Sequence, residues 1–589
     1  MSRPSAGAHS RERSRRRWRG LARLAALVAA SAAAILVAET LGRGVAPGKA
    51  LAARFASAWD HHDWQALYQD VDVQTRATVP YPEFAGDYAR AYTLATVTGA
   101  RMLPGVHLVG GSEVVALRIR TRVFGTLRQQ YTLPLTGNGS DTRIIWHQNL
   151  VFPGLYPGET LHRSTLAPQR GELLARDGVP LAQFSSAHAI IGSIGPASGG
   201  QLERLEAEGF PADTETGLDG LEYLFQRQLA GRPGGELFAG PRLIARTNPV
   251  AGENVKTSID PELEDDATSA FDATGMAGGV VLMVPRSGEL LAVAGSPLSQ
   301  TQPPGSTFKI VTATGVLESG IATVSSTFPY GTYALIDGYK LHNSDREDCG
   351  GTLINAFAVS CNSVYAPLGV KLGAQRLVAT AERYGFNSPS PLAIAAESTI
   401  PQPSVIAYPV ELGSSAIGQY QDLASPLQML RIAATVALGG LEPVPTFRLV
   451  QRPRFPRVIP PWVARTLRKM MIAVVRYRDG TGVAAQLPGI LVAGKTGTAQ
   501  ITVPSCQSGS TGPSGATGVQ TDATPSGATG PCANIPNNPY DTDAWFVSFA
   551  PAYHPKIAVA VLLDHDGAGG KSAAPLAREL IADALALGY

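Results

Sequence analysis

The C-terminal part of the sequence, residues 256–589, predicts an α+β domain in which helices flank an antiparallel sheet. The runs 280–284 and 289–293 are apolar, and Pro-Arg-Ser-Gly at 285–288 separates them, which is typical of two strands joined by a turn. A long helical block follows, and the final run 574–587 repeats apolar residues at helical spacing. Later strands are predicted at 490–493, 544–549 and 557–563. Strands on both sides of an inserted helical subdomain describe an α+β architecture.

Two smaller domains are predicted before this one, because a chain of 589 residues is too long for one hydrophobic core. In residues 46–155, apolar positions at helical spacing around Trp59 precede strand-like runs at 114–123 and 130–135. This order predicts a small α+β domain. Residues 156–255 contain a turn sequence and one amphipathic helix that carry no chemistry of their own.

The N-terminus predicts a single membrane anchor. Residues 1–20 hold seven arginines and one acid, Glu12, and the run 21–38 is apolar apart from Arg23. With its flanks this run is just long enough to cross a bilayer. The positive-inside rule then gives a cytoplasmic Arg-rich tail at 1–20, a transmembrane signal-anchor at 21–42 and an extracytoplasmic remainder. A cleaved signal peptide is the alternative.

The four cysteines predict two disulfides. Outside the cytoplasm an even number of cysteines favours bridges, and the nearest partners are Cys349 with Cys361 and Cys506 with Cys532. A zinc site is the alternative, although no CxxC or adjacent histidine supports it. Between the second pair, residues 505–531 are mostly Gly, Ser, Thr and Pro, which predicts a flexible surface loop.

Charge sets limits on partners. The net charge of +2 gives no reason to expect a nucleic acid as partner. Only nine of the 49 basic residues are lysines. Lys309 and Lys495, which belong to the sequence motifs described next, are therefore less readily explained by chance.

Ser306 and Lys309 form a Ser-x-x-Lys pattern just before an apolar helical run at 310–317. Residues three apart share one helix face, so the two side chains should meet. A serine hydroxyl needs a base, and a lysine with a lowered pKa can act as one. The pattern alone is also typical of an ordinary capped helix.

Two further motifs give the pattern its meaning. Ser360-Cys361-Asn362 lies in the apolar stretch 356–364, and Lys495-Thr496-Gly497-Thr498 continues the predicted strand 490–493. The set of Ser-x-x-Lys, Ser-x-Asn and Lys-Thr-Gly, in this order, resembles the signature of penicillin-binding proteins. The chain resembles class B of that family, with a transpeptidase domain of the penicillin-binding and β-lactamase-like fold.

The resemblance implies roles for five catalytic residues. Ser306 would attack the carbonyl between the two terminal D-alanines of a peptidoglycan stem, and Lys309 would take its proton. Ser360, aided by Lys495, would relay a proton to the departing D-alanine. Asn362 would hydrogen-bond Lys309 or the substrate amide.

The resemblance also implies a substrate-binding strand. Lys495, Thr496 and Thr498 would hold the substrate carboxylate, with Gly497 between them. The backbone N–H groups of Ser306 and Thr498 would form the oxyanion hole. An amine of a neighbouring stem would accept the acyl group, β-lactams would acylate Ser306, and no metal or organic cofactor is implied.

Other stretches agree with the resemblance. Residues 170–178 and 220–231 resemble signatures of the class B pedestal, or dimerisation, domain, which implies a β-rich domain at 156–255. The start of 46–155 resembles a nuclear-transport-factor-2-like domain. The short connection 295–304 and the Cys-flanked insert behind Gln500 depart from the family pattern and leave the cleft entrance open to question.

Two alternatives remain open. A β-lactamase would need a base for deacylation, and no Glu-x-x-x-Asn pattern of class A stands between the second and third motifs. A catalytically idle scaffold in a cell-wall synthesis complex, beside a membrane glycosyltransferase, is compatible with the same sequence.

Overall fold

The computed structural model describes residues 47–449, 453–500 and 542–589. The predicted tail 1–20, the predicted anchor 21–42, the pair Cys506–Cys532 and the loop 505–531 lie outside these ranges. Among the described residues, no helix is both long enough and apolar enough to cross a bilayer.

The chain forms two compact units, which interleave along the sequence. The N-terminal unit comprises the residues up to Gln169, with Ala197–Thr214 and Gly231–Ala251. The second unit, called the catalytic unit because it contains the three predicted motifs, comprises Arg170–Pro196, Glu215–Ala230 and Gly252–Tyr589. Residues 156–255 thus contribute to both units, and the predicted domain boundaries at 155 and 255 stay predictions.

The helices of the described residues are α1 (Pro47–Asp60), α2 (Trp64–Asp70), α3 (Val73–Thr78), α4 (Tyr81–Leu94), α5 (His188–Ile191), α6 (Gly199–Glu208), α7 (Gly220–Leu224), α8 (Gln226–Leu229), α9 (Pro261–Asp272), α10 (Lys309–Glu318), α11 (Leu353–Ala358), α12 (Asn362–Leu372), α13 (Ala374–Arg383), α14 (Pro409–Ser415), α15 (Pro426–Ala437), α16 (Pro461–Arg476) and α17 (Ala573–Ala586).

The strands of the described residues are β1 (Val97–Met102), β2 (His107–Val109), β3 (Ser112–Thr121), β4 (Thr126–Thr136), β5 (Arg143–Ile144), β6 (Leu161–Leu166), β7 (Leu173–Leu174), β8 (Ile194–Pro196), β9 (Glu215–Gly217), β10 (Gly234–Ala239), β11 (Arg242–Thr247), β12 (Val255–Lys256), β13 (Gly278–Val284), β14 (Glu289–Gly295), β15 (Thr327–Gly331), β16 (Tyr333–Ile336), β17 (Tyr339–His342), β18 (Cys349–Thr352), β19 (Ala493–Gln500), β20 (Thr542–Ala550) and β21 (Ile557–Leu563).

In the N-terminal unit, an antiparallel sheet packs one face against α1. The strands β1, β3, β4 and β5 are neighbours in that order, and β2 adds to β3. Trp59 of α1 is fully buried in the core, with its ring 6.2 Å from that of Tyr131 on β4. His62, whose position beside another histidine invites a metal reading, stacks on Trp64 instead, with ring centroids 5.5 Å apart.

The centre of the catalytic unit is a five-stranded antiparallel sheet in the order β14-β13-β21-β20-β19. Both faces are covered, which explains why every residue of β21 is buried and why its sequence is continuously apolar. Asp260 caps α9, with Pro261 at the first position where a missing N–H costs nothing. Helices α9 and α17 contribute to the core on one face, and α10, α15 and α16 to the core on the other.

One predicted strand was misplaced. The run 490–493 is not a strand, because Pro488 and Gly489 form a turn there and Leu487 bridges to Ile490. The strand β19 begins at Ala493 instead and contains the Lys-Thr-Gly-Thr motif in its interior. The motif is therefore part of the sheet edge rather than an extension beyond it.

Candidate active site

Ser306 lies in a buried 3₁₀ turn, Gly305–Phe308, that runs directly into α10. Ser306 is buried, with 8% of its surface exposed. The Gly305 N–H donates to the Gly418 carbonyl over 2.8 Å. A β-carbon on Gly418, whose φ is +76°, would lie 2.0 Å from the Gly305 carbonyl oxygen. Glycine at 418 thus allows the close contact that supports the turn.

Lys309 is fully buried and its amine is surrounded by oxygen atoms. The Nζ atom lies 2.9 Å from Ser306 Oγ, 2.6 Å from the Ser360 carbonyl oxygen and 2.6 Å from Asn362 Oδ1. Ser360 Oγ is farther away, at 3.3 Å. The first two motifs therefore meet at a single nitrogen.

These contacts fit a neutral amine. The Ser360 carbonyl and Asn362 Oδ1 can only accept, so each requires one N–H of Lys309. A neutral amine has two N–H groups, and its lone pair then remains for the Ser306 hydroxyl proton. Burial lowers the pKa of Lys309 well below its ordinary value of 10.5, and the nearby Lys495 lowers it further. Lys309 is accordingly placed to act as a base.

The segment between α11 and α12 presents Ser360 and Asn362. Ser360 has a φ of +62°, an unusual backbone conformation for serine, which directs its carbonyl to Lys309. Asn362 Nδ2 donates to the His342 carbonyl over 2.8 Å. Because this hydrogen bond places the side-chain nitrogen of Asn362 toward His342, the side-chain oxygen of Asn362 faces Lys309.

Lys495 reaches the same serine from the sheet edge. It is fully buried, and its Nζ donates to Ser360 Oγ over 2.7 Å and to the Thr496 carbonyl over 2.9 Å. Burial lowers the pKa of Lys495 to about 7. Ser360 Oγ thus lies between two lysines whose pKa values are both lowered by burial.

The strand β19 passes close to the Ser306 turn. A β-carbon on Gly497 would lie 3.0 Å from the Pro304 carbonyl oxygen, and one on Gly305 would lie 3.0 Å from the Thr498 carbonyl oxygen. Thr498 is half-buried beside the turn. This approach is what a shared oxyanion hole of Ser306 and Thr498 N–H groups requires, and that role stays a prediction.

Thr481 is a residue whose role was not predicted. Its Oγ1 lies 2.6 Å from Thr496 Oγ1, and its backbone N–H donates to the Ala358 carbonyl over 3.0 Å. It therefore ties β19 to α11, the helix that precedes Ser360. No spacing rule in the sequence indicates which residue Thr481 contacts.

Replacing Thr481 with valine keeps the side-chain shape and removes this hydroxyl. We expect the second-order rate of acylation by a fluorescent penicillin to fall about tenfold, the effect of one lost hydrogen bond of about 1.4 kcal/mol. Thr481→Ser is the matched control and should restore the rate. An unchanged rate in the valine variant would show that the Thr496 hydroxyl needs no such support.

Cys349 and Cys361 form a disulfide, with Cα atoms 5.8 Å apart. This is the predicted pairing, and it fixes the residue that directly follows Ser360. The second predicted pair, Cys506 with Cys532, lies outside the described residues and stays a prediction.

The double variant Cys349→Ala/Cys361→Ala tests what this bridge contributes. Closing a loop of this size restricts the unfolded chain, so its loss should lower the free energy of unfolding by about 3 kcal/mol. Denaturant titration of both proteins measures the difference. A variant of undiminished stability would mean that packing alone holds the Ser360 segment.

Three comparisons with known proteins point to one family. The family described as "Penicillin binding protein transpeptidase domain" matches residues 278–582. The chain is 30% identical over 430 residues to the peptidoglycan D,D-transpeptidase PbpA of Mycolicibacterium smegmatis, covering 62% of this chain and 76% of that protein.

Solved structures share the fold. Pseudomonas aeruginosa PBP2 in complex with WCK 5153 gives a TM-score of 0.58 at 24% identity, covering 72% of this chain and 96% of that one. The ceftriaxone acyl-enzyme of penicillin-binding protein A from M. tuberculosis gives 0.52 at 25% identity, covering 71% and 99%. The predicted transpeptidase fold is confirmed. Because the family match spans just over half of the 589 residues, the chain belongs to the penicillin-binding protein transpeptidase family.

Proposed function

We propose that this chain is a class B, serine-type D,D-transpeptidase that cross-links peptidoglycan through an acyl-enzyme on Ser306. The observation that carries the proposal is the contact of Ser306 Oγ with the buried amine of Lys309, 2.9 Å away. Relatives named as peptidoglycan D,D-transpeptidases support the reaction and its substrate class.

In the first half-reaction, Ser306 Oγ attacks the carbonyl carbon of the penultimate D-alanine and its proton passes to Lys309 Nζ. The carbonyl oxygen becomes negative and is held by the Ser306 and Thr498 N–H groups. The carbon–nitrogen bond then breaks. The departing amine of the last D-alanine takes a proton from Ser360 Oγ, which is replenished by Lys309 or Lys495.

The substrate carboxylate is proposed to bind along β19. Lys495 supplies positive charge when protonated, and Thr496 and Thr498 supply hydroxyl donors. Thr496 Oγ1 can accept from Thr481 while its own proton turns toward the carboxylate, so Thr481 prepares Thr496 for this contact.

In the second half-reaction, an amine of a neighbouring stem attacks the acyl carbon. The amine loses one proton, Ser306 Oγ regains one, and the lysine pair carries the proton between them. The products are an amide cross-link and the free enzyme. A β-lactam follows the first half-reaction but keeps its leaving nitrogen tethered, so it remains as the acyl group.

The setting of the enzyme is proposed from the sequence. We place the catalytic unit outside the cell membrane, anchored by residues 21–42, with a nuclear-transport-factor-2-like domain at 46–155 and a pedestal at 156–255. The order of the elements, with helices α1 to α4 before the sheet β1–β5, supports the nuclear-transport-factor-2-like domain. A solved complex of penicillin-binding protein PBP2 with MreC from Helicobacter pylori supports a partner in a cell-wall synthesis complex.

Intact-mass spectrometry after penicillin addition tests the function. We expect a single adduct on the folded protein that persists for hours. A stem peptide ending in D-Ala-D-Ala, mixed with an amine acceptor, should then release D-alanine and form the cross-linked amide. An adduct that hydrolyses within seconds would favour a β-lactamase, and a protein that forms no adduct would be an idle scaffold.

A further inference from the structure

The outer face of the sheet in the N-terminal unit carries a row of arginines. Arg101 on β1 lies directly opposite Arg118 on β3, and Arg118 lies directly opposite Arg128 on β4. All three side chains are exposed. On β3, Leu117 and Ile119 stand on either side of Arg118 in the sequence, and both are fully buried on the opposite face of the sheet. Because successive side chains of a strand point to opposite faces, Arg118 and its neighbours across the strands point away from the core.

A fourth arginine lies on the same face. Arg120 is two residues along β3 and exposed, and its guanidinium lies over Gly99 of β1, 2.9 Å from where a β-carbon would be. Within the described ranges, no carboxylate lies within ion-pair distance of these four guanidinium groups. The neighbours on this face are neutral: Ala116, Thr126, Gln130 and Thr132. We call Arg101, Arg118, Arg120 and Arg128 the arginine face.

This arrangement works against folding. Directly opposite residues on one sheet face have β-carbons about 5 Å apart, and like charges there destabilise the pair. Salt screens little at that distance, because the Debye length is about 8 Å under physiological conditions. Arginine cannot relieve the repulsion by losing its proton. Such a face is expected where an anion offsets the repulsion.

One arginine of the row, Arg128, lines a cleft of about 710 Å³ in the same unit. Arg128, Gln130, Thr132 and Tyr156 are among its lining residues. A cleft of this size can enclose a small polar group, whereas a flat surface could only touch one. The arginine fork is suited to phosphate oxygens, which it can bind through two parallel hydrogen bonds.

We propose that the arginine face binds the phosphate headgroups of anionic membrane lipids. The chain itself indicates this occupant: the described N-terminal unit begins at Pro47, and the proposed anchor ends at residue 42. Five residue steps reach at most about 18 Å. This unit is therefore held within reach of the bilayer surface, where basic side chains are attracted to anionic lipid. The inference rests on the proposed anchor.

Arginine footprinting of the full chain tests this. The protein is reconstituted in nanodiscs of phosphatidylglycerol or of phosphatidylcholine and treated with a dicarbonyl reagent that modifies exposed arginines. Peptide mass spectrometry then gives the modification rate at each site. Exposed Arg204 on α6, in the same unit and off this sheet, is the internal control.

We expect Arg101, Arg118, Arg120 and Arg128 to react on the order of threefold more slowly in phosphatidylglycerol, and Arg204 to react equally in both. High salt should remove the protection. In the variant Arg101→Gln/Arg118→Gln/Arg128→Gln, Arg120 should lose its protection while penicillin acylation of Ser306 is unchanged.

Equal rates in both lipids would overturn the inference while leaving the anchor intact. Protection by added soluble peptidoglycan fragments in phosphatidylcholine discs would also overturn it, since the face would then bind a different anion. A chain that enters neither kind of disc would disprove the anchor and, with it, the lipid as occupant. Penicillin acylation, read in the same samples, reports the transpeptidase proposal separately.

Discussion

Replacement of Ser306 with alanine is expected to abolish covalent labelling by penicillin. The variant keeps the buried turn but has no oxygen to bond with the acyl carbon, and Lys309 can only activate a nucleophile that is present. Loss of a serine nucleophile typically lowers the rate by a factor of about 10⁴ to 10⁶. Release of D-alanine from a stem peptide should fall in parallel, since both reactions use the same first step.

Labelling with a fluorescent penicillin, followed by gel imaging and intact-mass analysis, measures the effect. Ser319→Ala is the matched control: this serine follows α10 at its far end and is exposed, so its loss should leave labelling unchanged. A thermal unfolding curve confirms that both variants are folded. Full labelling of folded Ser306→Ala would mean that another residue is the nucleophile.

Replacement of Lys309 with methionine is expected to lower acylation by about 10²- to 10⁴-fold, the usual contribution of a positioned general base. Methionine preserves most of the buried length but offers no lone pair to the Ser306 proton. Lys371→Met removes an exposed lysine from the end of α12 and should have no effect. Stopped-flow acylation rates distinguish the two.

The pH profile gives a second test of the same residue. Since the pKa of Lys309 lies well below 10.5, the wild-type acylation rate should rise with pH as the amine loses its proton, and level off before pH 10.5. Acid should slow the reaction, because a protonated Lys309 cannot accept the serine proton. A rate still climbing above pH 10.5, or an active Lys309→Arg enzyme, would count against a neutral lysine base.

Stability should vary with pH through Lys495. Its pKa is about 7 in the folded protein and near 10.5 in the unfolded chain, so the unfolded state binds more protons between these values. The free energy of unfolding contributed by this group therefore rises from pH 7 to 10.5 and is lost as pH falls through 7. Comparing wild type with Lys495→Met by denaturant titration at several pH values isolates the contribution, and identical pH slopes would contradict it.

The sequence was sufficient to predict which motifs meet, for a physical reason. The three-residue spacing of Ser306 and Lys309 brings their side chains together where the 3₁₀ turn runs into α10, as it does within a regular helix. The hairpin β13–β14 could also be predicted from the sequence, because turn residues separate its two apolar runs. The family likeness supplied the rest of the site.

Other parts of the site depend on contacts that no local pattern encodes. The positive φ of Ser360 and the support of Gly305 by Gly418 arise from packing between segments more than 50 residues apart. The contact of Thr481 with Thr496 requires knowing that β19 begins at Ala493. That boundary is set by the turn at Pro488. The apolar residues that follow this turn resemble a strand in the sequence, so the strand was predicted to begin too early.

The position of β19 at the end of the sheet has a consequence for recognition. Within the described residues β19 pairs with one strand only, β20, so its other edge has no neighbouring strand. An extended stem peptide could add there as one more strand, recognised by its main chain. Such a site tolerates different side chains along the stem, and it selects for a ligand that is already extended. Inhibitors that present amide groups at strand spacing should therefore gain affinity without matching any one stem sequence.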